Sequence, residues 1–182
     1  ITAHATARKI DSIFMMPIGT LSATCSTFSS QNFGANRMDR VKKGITSAII
    51  VAFVWSTIAT ILSFVCCDSI SYAVTGTSDA TILKTIKQYV TINVPFFYVL
   101  SILVILRSTL QGIGKKIVPL SASIIELTSK FVAVGYIAPI FKYMGICFLE
   151  PAIWTICAIL VGVAFILYTK NPSTAKAQKV TT

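Results

Sequence analysis

Residues Ile45–Cys67, which read ITSAIIVAFVWSTIATILSFVCC, contain no charged side chain and show no regular alternation of apolar and polar residues. A helix needs about 20 mostly apolar residues to cross the roughly 30 Å hydrocarbon layer of a bilayer. An apolar run of this length without a period of two indicates a helix rather than a strand. The stretch therefore predicts a membrane-spanning helix.

The composition of the whole chain agrees with a membrane environment. Hydrophobic residues make up 54% of the chain and charged residues only 12%, whereas soluble domains carry about 25% charged residues. A reading in windows of about 19 residues extends the pattern to five predicted spans. These spans cover residues 7–36, 41–74, 82–112, 117–141 and 145–170. The sequence thus predicts an all-α integral membrane protein with five transmembrane helices, followed by a disordered tail at 171–182.

Basic residues between the predicted spans orient the chain, whose formal net charge is +10. They lie in the first-to-second connection, the third-to-fourth connection and the C-terminal region: Arg37, Arg40, Lys42, Lys43, Lys115, Lys116, Lys170, Lys176 and Lys179. The positive-inside rule predicts that these segments, including the C-terminus, are cytoplasmic. No aromatic residues interleave with them to stack on bases, so we expect membrane lipid rather than nucleic acid as a partner.

The first predicted span differs from the others because it is rich in hydroxyl groups. These belong to Ser22, Thr24, Ser26, Thr27, Ser29 and Ser30. Small residues allow helices to approach closely, and their hydroxyls can form hydrogen bonds across a helix interface. We therefore expect this helix to be buried among its neighbours or to line a wet cavity.

Two acidic residues inside predicted spans are candidates for cation binding, because charged groups in a membrane are costly and usually have a partner or a function. Glu126 could exchange a proton, hold a cationic substrate or contribute to a sodium site. Lys130, four residues further on, could instead form an ion pair with it on one helix face. Glu150 precedes Pro151, which favours a cap in the first turn of the fifth helix, with cavity lining as the alternative.

Polar and aromatic side chains add further candidates for substrate or cation binding. Asn93 lies shortly before Pro95, and a proline that frees a backbone carbonyl can help to line a cavity. A kink that only shapes packing is the alternative. Tyr136 and Trp154 could stack on aromatic or cationic drugs, although aromatic residues at membrane interfaces also pack or face lipid.

Arg107 and Gln111 share one face near the cytoplasmic end of the third span. Arg107 could extend to the lipid headgroups or pair with Gln31 and Asn32 in the neighbouring connection. We interpret these four residues, together with Lys130, as gate or structural residues. The sequence contains no nucleophile–base pair, phosphate-binding loop or metal-ligand cluster, so no enzyme and no metal site is predicted.

Several stretches resemble the multidrug and toxic compound extrusion (MATE) family. They are Ser26–Asn36 (STFSSQNFGAN) with Asp39–Gly44 (DRVKKG), Leu106–Lys115 (LRSTLQGIGK), Ile124–Leu127 (IIEL) and Leu149–Trp154 (LEPAIW). The last two are similar to the final helices of the family's bacterial DNA-damage-inducible-type branch. The motifs follow one another in the order in which the family has them.

The resemblance implies a transporter of twelve helices in two lobes, in which residues 1–170 form a partial C-terminal lobe equivalent to helices 8–12. The missing N-terminal lobe would then be a partner. The implied function is a secondary antiporter of the plasma (inner) membrane that exports organic cations or drugs in exchange for protons or sodium, with no cofactor besides that coupling ion. Some branches carry an acidic residue in the tenth helix, where this chain has Asn93 and its neighbours but no acid.

Two alternative functions stay open at this point. One is a lipid-linked oligosaccharide flippase of the same superfamily, which should have a strongly cationic cavity. Arg107 and Lys130 are the candidates for such a cavity. The other alternative is an inactive membrane remnant or a scaffold.

Overall fold

The structure is a computed structural model, and it describes residues 2–75, 80–132, 135 and 138–170. Seven α-helices and one short 3₁₀ helix follow one another in this part of the chain. They are α1 Thr2–Gly34, α2 Met38–Val65, α3 Cys67–Thr75, α4 Ala80–Asn93, the 3₁₀ turn Val94–Phe96, α5 Phe97–Gly112, α6 Ile117–Val132 and α7 Ala138–Lys170. The described residues include no strand, so the all-helical prediction is confirmed. The predicted tail at 171–182 lies outside the described residues.

The helices divide the chain differently from the five predicted spans. Three stretches of the described chain are long and apolar enough to cross a membrane, namely Met38–Val65, Ile82–Gly112 and Cys147–Thr169. The predicted second span is interrupted because the chain bends at Cys66 before α3 begins. The count of five spans is not confirmed, since the described part of α6 covers 16 residues and α1 carries charged side chains near its start.

The predicted boundary between the fourth and fifth spans is wrong. We expected the fourth span to end at Phe141 and the fifth to begin at Gly145, but both residues lie inside α7, which begins at Ala138. Pro151 also lies inside α7 rather than in its first turn, so Glu150 is not the predicted helix cap. A long membrane helix can continue through glycine and proline where neighbouring groups satisfy the freed backbone atoms.

The two faces of α2 show what surrounds the bundle. Its buried residues are mostly small: Val41, Ile45, Ala48, Ala52, Ser56, Ala59 and Ser63. Its exposed residues include large apolar side chains: Ile50, Val51, Val54, Ile58, Ile61 and Phe64. A contiguous apolar surface of this kind is rare on a protein in water, whereas small inward and large outward residues are typical of helices packed in lipid. The protein is therefore membrane-embedded.

Helix α5 lies at the centre of the bundle, where it contacts α1, α2, α6 and α7. It approaches α1 closely at Gly112, where an added Cβ would lie 2.3 Å from the backbone oxygen of Ser26. In the same interface the hydroxyls of Ser22 and Ser108 are 2.6 Å apart. Ser22 and Ser29 are buried, whereas Thr24, Thr27 and Ser30 are exposed, so only part of the hydroxyl-rich surface of α1 is buried.

The end of α1 is closed by a Schellman motif. The N–H of Arg37 donates to the carbonyl of Asn32 at 2.8 Å, and the N–H of Asn36 donates to the carbonyl of Phe33 at 2.9 Å. Asn36 has a φ of 59°, in the left-handed region that asparagine tolerates better than most residues. The Gly-Ala-Asn part of the motif thus stops α1 and turns the chain into α2.

The end of α5 repeats this arrangement. The N–H of Lys115 donates to the carbonyl of Leu110 at 2.8 Å, and Gly114 has a φ of 81°, which glycine adopts without steric cost. Lys115 Nζ lies 5.0 Å from the centre of the Tyr168 ring near the end of α7. Because Gly112 contacts the last third of α1, the turn after α1 (Arg37 and Arg40) and the turn after α5 (Lys115 and Lys116) lie at the same end of the bundle. We call them the two basic turns.

Candidate cation site

A cluster of polar side chains joins three helices near the start of α1, away from the two basic turns. We call it the Asp11 cluster. Its members are Arg8 and Asp11 of α1, Tyr89 and Asn93 of α4, and Glu150 of α7. Asp11, Tyr89 and Asn93 are buried, although the surrounding helices are largely apolar. Buried polar groups in such a setting must be paired or must bind something.

Glu150 is bonded through both of its carboxylate oxygens. Arg8 Nη1 contacts Oε1 in an ion pair, and the Tyr89 hydroxyl donates to Oε2 at 2.6 Å. Arg8 Nη1 also lies 3.4 Å from the Tyr89 hydroxyl oxygen. Charge-assisted hydrogen bonds of this kind are stronger than neutral ones, so Glu150 is well satisfied as an anion.

Asp11 is in a different position from Glu150. Its side chain is buried, and Oδ1 has no hydrogen-bond donor among the described residues. The carboxyl group lies close to the Tyr89 hydroxyl, to Arg8 and to Glu150. The hydroxyl hydrogen of Tyr89 is directed to Glu150, and Oδ1 of Asp11 itself is left without a donor. A buried carboxylate oxygen in this state is costly unless a proton or a cation joins it.

Asn93 supplies a second oxygen of the same kind. Its Nδ2 donates to the carbonyl of Tyr89 at 3.0 Å and to that of Cys147 at 3.5 Å. Pro151 has no N–H to donate to Cys147 within α7, and Asn93 provides a donor from α4 instead. Both partners are carbonyl oxygens, which fixes the orientation of the amide. Oδ1 is left without a donor in the described part of the chain.

The Asp11 cluster therefore has more negative than positive charge and two unsatisfied acceptors. Two carboxylates face one guanidinium, so the formal charge is −1 when both acids are ionised. The oxygens of Asp11 and Asn93 come from neighbouring helices that pack on each other. Carboxylate and amide oxygens are the ligands that hard cations prefer, and a carboxylate can equally take a proton.

Glu126 lies in a separate group of charges, which we call the Glu126 cluster. Its Oε1 accepts a hydrogen bond from Lys130 Nζ at 2.9 Å, and its Oε2 is 3.6 Å from Arg107 Nη1. The ion pair expected from the spacing of Glu126 and Lys130 is present, and α5 adds a second cation to it. Arg107 contacts α6 rather than the expected partners Gln31 and Asn32, because α5 and α6 pack side by side.

The remaining predicted site residues are dispersed. Trp154 is buried in the core one turn after Glu150. The backbone carbonyls of Gln31 and Gln111 accept hydrogen bonds in the turns after α1 and α5. Tyr136 lies outside the described residues. Of the predicted binding residues, the structure brings Asn93 and Glu150 into one cluster and places Glu126 in the other.

Sequence reasoning does not single out Arg8 and Asp11. Hydropathy windows average charged residues near the end of a span with the apolar residues that follow, so neither residue stands out. One signal was available, because Asp11 is an acidic residue inside the predicted span 7–36, as Glu126 and Glu150 are in theirs. An embedded acid is a candidate functional residue by default.

Comparison with known proteins identifies the family. The MatE family model matches residues 1–137, which include α1 to α6. Comparisons with curated proteins and with solved structures gave no match. The matched segment covers most of the chain, and members of this family are transporters rather than enzymes. Together with the lipid-facing helices, this match shows that the chain belongs to the MatE family of membrane transporters.

Proposed function

We propose that this chain is part of a secondary antiporter that exports organic cations or drugs in exchange for protons or sodium, and that the Asp11 cluster binds the coupling cation. The observation that carries the proposal is the pair of buried oxygens without donors, Asp11 Oδ1 and Asn93 Oδ1. A proton on Asp11 would turn one of them into a donor. A sodium ion bound at either oxygen would satisfy that oxygen.

The distribution of charge supports a direction for the chain in the membrane. Both basic turns lie at one end of the bundle, and the positive-inside rule assigns that end to the cytoplasm. In this orientation the Asp11 cluster lies in the outer half, and the C-terminus is cytoplasmic. We propose that the chain sits in the plasma (inner) membrane as the equivalent of helices 8–12, with α1 and α6 as two further membrane-crossing helices.

The charge of the Asp11 cluster suggests how one cation is exchanged for another. An empty cluster carries a net negative charge in a medium of low dielectric constant, which attracts a cation strongly. A bound cation cancels one negative charge of the cluster and lowers the electrostatic penalty for moving the site between the two sides. In transporters built from two lobes, such a site is carried past the barrier when the lobes rock around it.

The Glu126 cluster supports a structural role more than a coupling role. Glu126 already has a cation on each carboxylate oxygen, Lys130 and Arg107. The same contacts weaken the flippase alternative, because the two cations expected to line an anion-binding cavity both face a carboxylate.

The test is export of a fluorescent organic cation by the complete protein in proteoliposomes, driven by an imposed proton or sodium gradient. Asp11→Asn removes the charge with little change in shape. It is expected to lower gradient-driven export at least about tenfold, since one charge interaction in a buried site is typically worth that much. Glu126→Gln should leave the dependence on the gradient unchanged.

Asp39→Asn is the matched control, because Asp39 is an exposed acid at the start of α2. All variants are first checked for a monodisperse elution profile in detergent. Export by Asp11→Asn that still follows the gradient as the control does would contradict the proposal.

A further inference from the structure

Arg8 is the most exposed member of the Asp11 cluster. Its side chain is 46% exposed, whereas that of Glu150 is 12% exposed. A long arginine side chain can swing its charged end between a buried partner and water with little change in the helix that carries it. If the ion pair opens, Arg8 is therefore the partner that moves.

The ion pair joins two helices that have little other direct contact. In the described part of the chain, α1 packs mainly on α5, α2 and α4, and α7 packs mainly on α5, α6 and α4. Arg8 of α1 and Glu150 of α7 thus connect the first and last helices across α4. Opening this pair would release α7 from α1 without exposing a large apolar interface.

The cluster has one internal cation and two anions that could use it. Arg8 and Asp11 lie three residues apart on α1, on the same helix face, yet Arg8 Nη1 contacts Glu150 and Asp11 keeps an oxygen without a donor. A cation that enters beside Asp11 comes close to the guanidinium, and the two positive charges repel each other.

We propose that Arg8 is an internal competitor of the coupling cation: it holds Glu150 while the cluster is empty, and the entering cation displaces it and so releases α7 from α1. This inference rests on the proposed function, because it assumes that the cation binds in the Asp11 cluster. It makes Arg8 a residue that sets the affinity for the coupling cation, and it links occupancy of the site to the contact between two helices.

The test compares three substitutions of Arg8 in the complete protein. Arg8→Gln and Arg8→Met remove the competing charge, and the latter keeps an apolar stem of similar length. Both are expected to lower the concentration of coupling cation needed for half-maximal export about tenfold or more, and to lower the maximal rate because release slows. Arg8→Lys keeps the charge and should stay close to the unchanged protein in both quantities.

A purely structural role for Arg8 gives a different result. Loss of a supporting ion pair would loosen the site, so Arg8→Gln and Arg8→Met would need more coupling cation, not less. Equal or weaker cation affinity in both variants would overturn the inference. If one of the two variants does not yield monodisperse protein, the other decides the outcome.

A distance measurement tests the link to α7. Spin labels at Ile13 of α1 and Phe148 of α7, both exposed side chains, report the separation of the two helices. Saturating sodium or low pH is expected to broaden or lengthen this distance in the unchanged protein, and Arg8→Gln should show the longer distance without added cation. A distance that is the same in all these conditions would contradict the proposed release.

The two proposals fail in different ways. If export by Asp11→Asn still follows the gradient, the site itself is wrong. If Asp11→Asn abolishes coupling but the neutral Arg8 variants bind the cation no more tightly than the unchanged protein, the site stands and the role of Arg8 is refuted.

Discussion

Replacing Gly112 by alanine tests how closely α1 and α5 must pack. An added Cβ would lie 2.3 Å from the backbone oxygen of Ser26 and 3.0 Å from its carbonyl carbon. Ordinary contacts begin at 3.4 Å, so the two helices would have to separate by about 1 Å. Backbone atoms cannot turn aside as a flexible side chain can, and the shift would also stretch the hydrogen bond between Ser22 and Ser108.

Overpacking of this kind typically destabilises a protein by about 1–3 kcal/mol. The assay is thermal unfolding of the complete protein in detergent, followed by tryptophan fluorescence, in which Gly112→Ala should melt at least about 2 °C below the unchanged protein.

Gly19→Ala serves as the control, since an added Cβ at Gly19 in α1 meets nothing within 4 Å. Alanine favours a helix over glycine by roughly 0.5–1 kcal/mol, so this variant should melt at the same temperature or slightly higher. If both variants melt at the same temperature, Gly112 of α5 does not pack against the backbone of Ser26 in α1.

Three further predictions concern the polar clusters. Asn93→Ala should destabilise the protein by about 1–3 kcal/mol in the same melting assay, because the carbonyl of Cys147 loses its donor from α4; a melting temperature equal to that of the unchanged protein would contradict this. Tyr89→Phe removes the donor to Glu150 and should lower gradient-driven export about tenfold. The amount of protein in the membrane, measured on immunoblots, should stay constant. Glu126→Gln leaves two cations side by side and should melt lower than Lys130→Gln, which leaves one cation on the carboxylate; the reverse order would show that Glu126 is not held by both.

The helices that are long and apolar were predictable from the sequence. Met38–Val65 and Ile82–Gly112 stand out because hydropathy is a sum over many neighbouring residues and does not depend on the partners of a helix. The ion pair of Glu126 and Lys130 was predictable for a similar reason, since a spacing of four residues places both on one helix face. Local rules of this kind need no knowledge of the bundle.

Contacts between distant helices were not predictable in the same way. Glycine and proline favour a helix boundary, yet α7 runs through Gly145 and Pro151, and Asn93 of α4 donates to the carbonyl of Cys147, to which Pro151 has no N–H to donate. The importance of Asp11 likewise depends on side chains from α4 and α7. Only the packed structure shows that one carboxylate in this group is satisfied and the other is not.

The two faces of α2 have a consequence for which sequence changes this protein can accept. On a helix face lined by alanine and serine there is little free volume at a fully buried position such as Ala59, so even a modest enlargement there should destabilise the packing. On the outer face, Ile50 or Val54 can exchange with any other apolar residue, because liquid hydrocarbon adapts to every shape. Variation among related sequences should therefore be constrained by volume on one side of α2 and by polarity alone on the other, the opposite of the pattern in a water-soluble helix.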